Sequence, residues 1–224
     1  MTASVTVHRI GNEQEPVAAI ENFAPDPTAL RKAARTAVFA VAGEHYPGIR
    51  GELPPDYLAG VRPLLGAVFR DVFGVSEAVS VLDLRWSMVI APPASLSVEQ
   101  RLPHVDALEP GRLALVHFLG ADKEDGTAFY RHRGTGYETI DQNRSTTYFA
   151  ALNEDIRRHG PPPFAFPNGD TPIFERIARF EGRPNRALVY RGRLLHSGDI
   201  APGRPLSADP LIGRLTVTGF FAAR

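Results

Sequence analysis

Twenty prolines and twenty glycines interrupt a chain of 224 residues. Proline removes a backbone donor and blocks helix interiors, and glycine weakens helices and strands entropically, so uninterrupted segments are short. The interruptions are dense over the C-terminal two-thirds, where strands and turns are expected rather than long helices. With 43% hydrophobic residues the chain can bury a substantial core. Mainly-β chains of this size commonly stay undivided, so a single domain over residues 1–224 is expected.

Ser4–Ile10 and Pro16–Ile20 have the composition of edge strands. Asp26-Pro27 marks a helix start, with Leu30, Ala33, Ala34, Ala37 and Val38 following at helical spacing. Residues 43–54 carry Gly, Pro and charge and suggest an irregular loop. A second helix is expected from Pro55 to Phe73, with an apolar stripe from Tyr57 to Val72, a kink or split at Pro63 and a stop at Gly74. From Val79 the period shortens. Val79–Ile90, Arg112–Leu119, Thr127–His132, Ala187–Arg191, Leu194–Ser197 and Arg214–Phe221 are expected strands. Ser145 is expected to cap a helix over Thr146–Arg158, Pro161–Asp170 is a loop, and Ile173–Phe180 suits a short helix or a strand. Two helices followed by about seven strands predict a mainly β (α+β) fold. Residues 79–224 would form a β-sandwich or jelly roll, braced by N-terminal strands and helices over residues 1–78.

Twenty-five basic residues balance twenty-five acidic ones, so no global field favours nucleic acid or an anionic membrane as partner. The chain has no cysteine, which excludes disulfides, thiolate metal sites and a cysteine nucleophile; any metal must take nitrogen and oxygen donors. The N-terminus has no apolar stretch of signal-peptide length and no run of about 18 apolar residues occurs, so a cytoplasmic protein without a membrane span is expected.

Among the seven histidines, His104-Val105-Asp106 places an imidazole and a carboxylate two residues apart, on one side of an extended segment. Chance alone would produce such a pair about 0.4 times in a chain of this composition, so the motif needs support from elsewhere. Two histidines and one carboxylate form the facial triad of non-haem iron sites, and the third donor must come from a distant strand. His196 ends the hairpin-like segment Asn185-Arg186-Ala187-Leu188-Val189-Tyr190-Arg191-Gly192-Arg193-Leu194-Leu195-His196-Ser197-Gly198, and Arg214 opens the last strand. A guanidinium there can hold a carboxylate bidentately.

This order of motifs resembles the 2-oxoglutarate/iron(II) dioxygenases, most closely their prolyl-hydroxylase-like branch, over roughly residues 79–222. The resemblance implies a double-stranded β-helix (a cupin-like jelly roll) with iron(II) on His104, Asp106 and His196. It also implies 2-oxoglutarate as co-substrate, dioxygen as oxidant, and Arg214 pairing with the distal carboxylate of 2-oxoglutarate, with Thr216 as a secondary contact. In the family the basic residue follows the distal histidine by about ten positions; Arg214 lies eighteen beyond His196, across a Pro- and Gly-rich insertion. Arg204 is closer by count but sits between Gly203 and Pro205, a poor place for a strand. The implied activity is hydroxylation of a small molecule, amino acid or peptide side chain, with 2-oxoglutarate decarboxylated to succinate. The Asp ligand fits hydroxylation, because halogenating members lack it. A homodimer is open. So are a non-catalytic or degenerate jelly-roll binding protein and a cupin-like metalloenzyme that does not use 2-oxoglutarate.

Other polar residues leave alternatives. His117 faces the same side as Leu113 and Leu115, as a cofactor neighbour or a satisfied core histidine. Tyr130-Arg131-His132-Arg133 suits an exposed face or a contact for an anionic substrate group. Gln100 and Arg101 precede the metal motif and are candidates for the cavity mouth, while Gly134-Thr135-Gly136 is expected to be a plain turn.

Overall fold

The computed structural model describes residues 2–43, 45–120 and 122–223, with side chains described except at 122–124. In chain order its elements are β1 (Ser4–Ile10), β2 (Glu15–Glu21), α1 (Pro27–Ala34), β3 (Phe39–Val41), β4 (Gly48–Glu52), α2 (Tyr57–Phe73) and β5 (Val79–Val89). They continue as β6 (Arg112–Phe118), β7 (Asp122–His132), α3 (Gln142–His159), β8 (Phe174–Gly182), β9 (Ala187–Arg191), β10 (His196–Asp199) and β11 (Leu215–Ala223). An eight-stranded sheet has the order β1-β2-β9-β6-β11-β5-β4-β3, and a three-stranded sheet the order β10-β7-β8. Every pairing between these strands is antiparallel.

Period-2 alternation divides each central strand between two cores. On β6 and β11, Leu113, Leu115, Leu215, Val217 and Phe221 face helices α1 and α2, where they meet Val61, Leu65 and Phe69. The opposite faces of β2, β6 and β9 turn Val17, Ala19, Ala114, Leu188 and Tyr190 inward, toward Phe129 and Phe180 of the smaller sheet. Helix α3 covers that sheet from outside, with Tyr148 against Tyr130, Ile140 and Phe174. The space between the two sheets is therefore lined from both walls. Strands from residues 1–78 and from residues 79–224 share the large sheet, and β2 pairs with both β1 and β9, so of the two expected edge strands β1 is an edge and β2 is not.

Several local expectations are corrected. Residues 43–54 contain a strand, β4, whose glycines mislead: a Cβ on Gly48 would lie 1.9 Å from the Met88 carbonyl oxygen, so close strand approach requires glycine there. Helix α1 ends at Ala34, and Ala37 and Val38 lie beyond it in a segment that leads into β3. The β-branched and aromatic content of that segment favours extended chain. Helix α3 starts earlier than expected: the Asp141 carboxylate caps it by accepting from Arg144 N at 2.9 Å, while the Ser145 hydroxyl donates back to the Gln142 carbonyl. Residues Ile173–Phe180 fall mainly in strand β8. Pro63 sits inside α2 without dividing it.

His117 is a satisfied core histidine. Its Nε2 lies 3.0 Å from Asn185 Oδ1, an oxygen that can only accept, while Asn185 Nδ2 donates to the Ala24 carbonyl. That assigns the proton to Nε2 and leaves Nδ1 to accept from the Tyr57 hydroxyl at 3.1 Å. The imidazole thus ties α2 to the large sheet, on the face away from the inter-sheet space. Burial pushes it down to about 4, against the opposing hydrogen bond to Asn185. Because the folded value lies below the ordinary one, the stability it contributes is present at neutral pH and is lost as pH falls from about 6.5 toward 4. We expect His117→Leu to cost about 1–3 kcal/mol at pH 7 by orphaning its partners. In urea unfolding at stepped pH, the gap between wild type and variant should narrow toward pH 4.

Candidate metal centre and its cavity

The segment before β6 does not form a strand, yet it is locked to β10. His104 and His196 exchange both backbone hydrogen bonds, N–H to carbonyl at 2.9 Å each way, as an isolated antiparallel bridge. Residues facing one another in such a pair project side chains to the same face at close range. The imidazole centroids accordingly lie 4.5 Å apart. Two residues on, Asp106 N donates to the Gly192 carbonyl at 2.7 Å, which keeps its carboxylate on the same side. His196 Nε2 is 3.4 Å from Asp106 Oδ2, and His104 Nε2 is 3.8 Å from Asp106 Oδ1. One potential ligand atom from each of the three residues lies within 4.8 Å of the others.

Each imidazole is oriented by its own chain. His196 Nδ1 donates to the Leu194 carbonyl at 2.8 Å, and His104 is hydrogen-bonded to the Leu102 backbone. On His196 this tether on Nδ1 fixes the tautomer and leaves Nε2 free to ligate a metal. Burial, then the nearby His196 ring, pushes His104 down to about 4, against Asp106 and the Leu102 bond. Burial also pushes His196 down to about 4. Asp106 is pushed up to about 6 by burial, opposed by the charges of His104 and Arg50. The His104 side chain is 54% accessible and lines a cavity between the sheets. At pH 7 both rings are neutral and the carboxylate is ionised, the protonation state that a divalent metal needs.

The three donors open onto a cavity of about 1260 Å³ between the sheets. Arg214 lines it from the residue preceding β11 and is 8% exposed. Its Nη2 donates to the Gly126 carbonyl at 2.9 Å and its Nε is 3.9 Å from Asp125 Oδ2, leaving that buried Nε without a hydrogen-bond partner. The guanidinium packs against Gly198, on the same side of β10 as His196: a Cβ there would be 3.7 Å from Nη2. Arg204 instead pairs with Asp125 at 3.0 Å and is not among the cavity-lining residues. Thr216 is buried behind the cavity wall, its hydroxyl donating to the Ser87 carbonyl at 3.1 Å.

Tyr46 and Arg50 also line the cavity, from and just before a strand that composition had disguised as a loop. The buried Tyr46 hydroxyl lies beside the Ser87 and Thr216 hydroxyls and near Arg214, without a well-formed hydrogen bond. Gln100 is at the cavity, whereas Arg101 turns away to the Pro162 carbonyl and the Phe164 ring. Tyr130 and His132 are buried, and His132 is held by Thr135 and Asp155; Arg131 and Arg133 pair with Glu138, Glu175 and Asp170. That strand end thus turns Arg133 to the exposed surface and buries Tyr130 and His132, and none of the four is among the residues lining the cavity.

Solved structures with this architecture include HygX from Streptomyces hygroscopicus with nickel, 2-oxoglutarate and hygromycin B bound. It has TM-score 0.54 and 14% identity over 94% of this chain and 84% of that one. The iron-bound form of HygX gives TM-score 0.52 and 14% identity over 94% and 83%. A Pseudomonas putida prolyl-4-hydroxylase gives 0.46 and 14% over 95% of each chain. The resemblance to 2-oxoglutarate/iron(II) oxygenases is therefore borne out as a shared fold. The chain belongs to the family of unknown function DUF6445, whose model matches residues 1–221. No curated protein matches it.

Because one carboxylate, and neither imidazole, titrates near pH 6, nickel(II) affinity measured by calorimetry should be flat above about pH 7. It should fall roughly tenfold per pH unit below about 6, as protons compete for Asp106. A fall of about a hundredfold per pH unit, as two imidazoles protonating together would give, would contradict the assigned protonation.

Proposed function

We propose that the protein is a non-haem iron(II)/2-oxoglutarate-dependent oxygenase that hydroxylates a C–H bond of a small molecule, amino acid or peptide side chain. The observation that carries this reading is the convergence of His104, Asp106 and His196 on the cavity that holds a buried, incompletely bonded Arg214. In the same reading the two sheets are the walls of a double-stranded β-helix over residues 79–224, with residues 1–78 as its buttress within one domain.

The donor set fits iron(II): two neutral imidazoles and one carboxylate, with no thiolate to favour zinc. The unsatisfied Arg214 Nε and Tyr46 hydroxyl fit the distal carboxylate of 2-oxoglutarate, with Thr216 supporting Tyr46 from behind. When bound, iron(II) and 2-oxoglutarate supply the activation of dioxygen, and 2-oxoglutarate leaves as succinate and carbon dioxide. The chain's own residues do the remaining work. Leu102 and Leu194 hold the imidazoles in register, Arg214 and Tyr46 orient the co-substrate, and apolar lining at Val105, Phe166 and Ile200 limits water. A cytoplasmic setting, kept reducing by thiol pools, suits such an enzyme.

Anaerobic addition of iron(II) and 2-oxoglutarate to the purified protein should produce a weak visible charge-transfer band, and aerobic incubation should release succinate. Asp106→Ala and His196→Ala should abolish both while unfolding cooperatively. Succinate release that survives in both variants would refute the triad. Arg214→Gln should weaken 2-oxoglutarate binding about tenfold to a hundredfold, the scale of lost hydrogen bonds to a charged group, with metal affinity retained. Unchanged 2-oxoglutarate affinity in this variant would favour a metalloenzyme of another kind.

A further inference from the structure

Among the described residues lining the cavity, one guanidinium is not used by the proposed chemistry. Of the ionisable lining residues, Asp106, His104 and His196 face the metal position, Arg214 faces the co-substrate, and Glu99 and His45 lie exposed at the rim, close enough for their charges to interact. Arg50 remains. It projects from β4 and is near enough for its charge to act on Asp106. Its Nη1 bonds Asp83 Oδ2 at 2.8 Å, but Asp83 also takes Arg85 Nε at 2.8 Å through Oδ1. One carboxylate is thus shared by two guanidinium groups, and the cluster keeps a net positive charge. Arg50 Nε has no hydrogen-bond partner. The group is held in place by stacking, its Cζ 4.9 Å from the Tyr46 ring centre and 5.9 Å from that of Phe220.

With a divalent ion, Asp106, Arg214 and a doubly negative 2-oxoglutarate in place, the charges at the centre cancel. Asp125 is likewise balanced by Arg204. The unmatched charge within the cavity is then that of the Arg50 cluster. A partly buried guanidinium with spare donors and fixed orientation is suited to a planar oxyanion. The cavity lining is apolar at Leu102, Val105, Phe166, Pro167, Ile200 and Phe220, and Phe220 lies against the guanidinium itself. We propose that Arg50 recognises the substrate, and that the substrate is a small organic acid whose carboxylate docks on Arg50 while its apolar body lies along this wall. This inference rests on the oxygenase reading and names the substrate class for the same site.

The test uses the nickel(II) complex of the full chain at saturating 2-oxoglutarate, with 3-phenylpropanoate, its amide and phenethyl phosphate as probes in calorimetry. The acid should bind at least tenfold more tightly than the amide. Arg50→Met should reduce that preference to within twofold, and Arg50→Lys, which keeps the charge without the planar fork, should retain part of it. Asp83→Asn, which releases Arg50, should tighten acid binding severalfold. Equal affinity for acid and amide, no binding of either, or a preference for the phosphate ester would overturn the inference while leaving the oxygenase reading intact. If wild type instead fails to take up nickel(II) and 2-oxoglutarate, the oxygenase reading falls and this inference with it.

Discussion

Two backbone hydrogen bonds between His104 and His196 hold the site together. They join a non-strand segment to β10 across a long stretch of chain and oppose two imidazoles on one face. Strand pairing has a period of two, so a slip of one residue would turn His196 out of the cavity and bring Leu195 in. The second link, from Asp106 N to the Gly192 carbonyl, sets the carboxylate relative to that pair. The convergence of the three side chains is thus defined by main-chain register, with the Leu194 carbonyl taking His196 Nδ1 and leaving its Nε2 free.

The remainder of the fold serves to keep the inter-sheet space open at one end. The large sheet buries its outer face under α1 and α2, and the small sheet buries its outer face under α3. Inward-facing residues pack at the Phe129–Tyr190 end and give way to polar groups at the other. The Arg214 Nε and the Tyr46 hydroxyl are buried there without a hydrogen-bond partner. Buried polar groups with incomplete hydrogen bonding oppose folding stability, and their concentration in one cavity is the local inconsistency expected at a functional site.

The sequence made the donor triad legible because each member sits where local pattern exposes it: a His-x-Asp pair in an extended segment, and a histidine closing a Gly-turn hairpin. Six of the seven strands after residue 78 are legible from their short apolar segments bounded by Gly, Pro or Asp, whereas the segment that forms β8 suits a short helix equally well. What was hidden depends on contacts between distant segments. Gly48 and Gly51 look like loop residues until the close approach of Met88 and Val38 is known. With β4 disguised, Tyr46 and Arg50 had no reason to be placed at the cavity. His117 and His132 were ambiguous because their partners, Tyr57, Asn185 and Asp155, come from other elements. The choice of Arg214 over Arg204 followed from strand chemistry, since an Arg between Gly and Pro cannot open a ladder; the cavity lining now includes Arg214 and not Arg204.

The central claim concerns position: one ion shared by three side chains, with a dicarboxylate reaching from it to Arg214. Anomalous scattering from crystals grown with manganese(II) and 2-oxoglutarate, without oxygen, measures that position directly. The account predicts a single strong peak within coordination reach of His104 Nε2, an Asp106 oxygen and His196 Nε2, with 2-oxoglutarate density running from it to the Arg214 guanidinium. An ion bound elsewhere, or a 2-oxoglutarate that leaves Arg214 untouched, would contradict it.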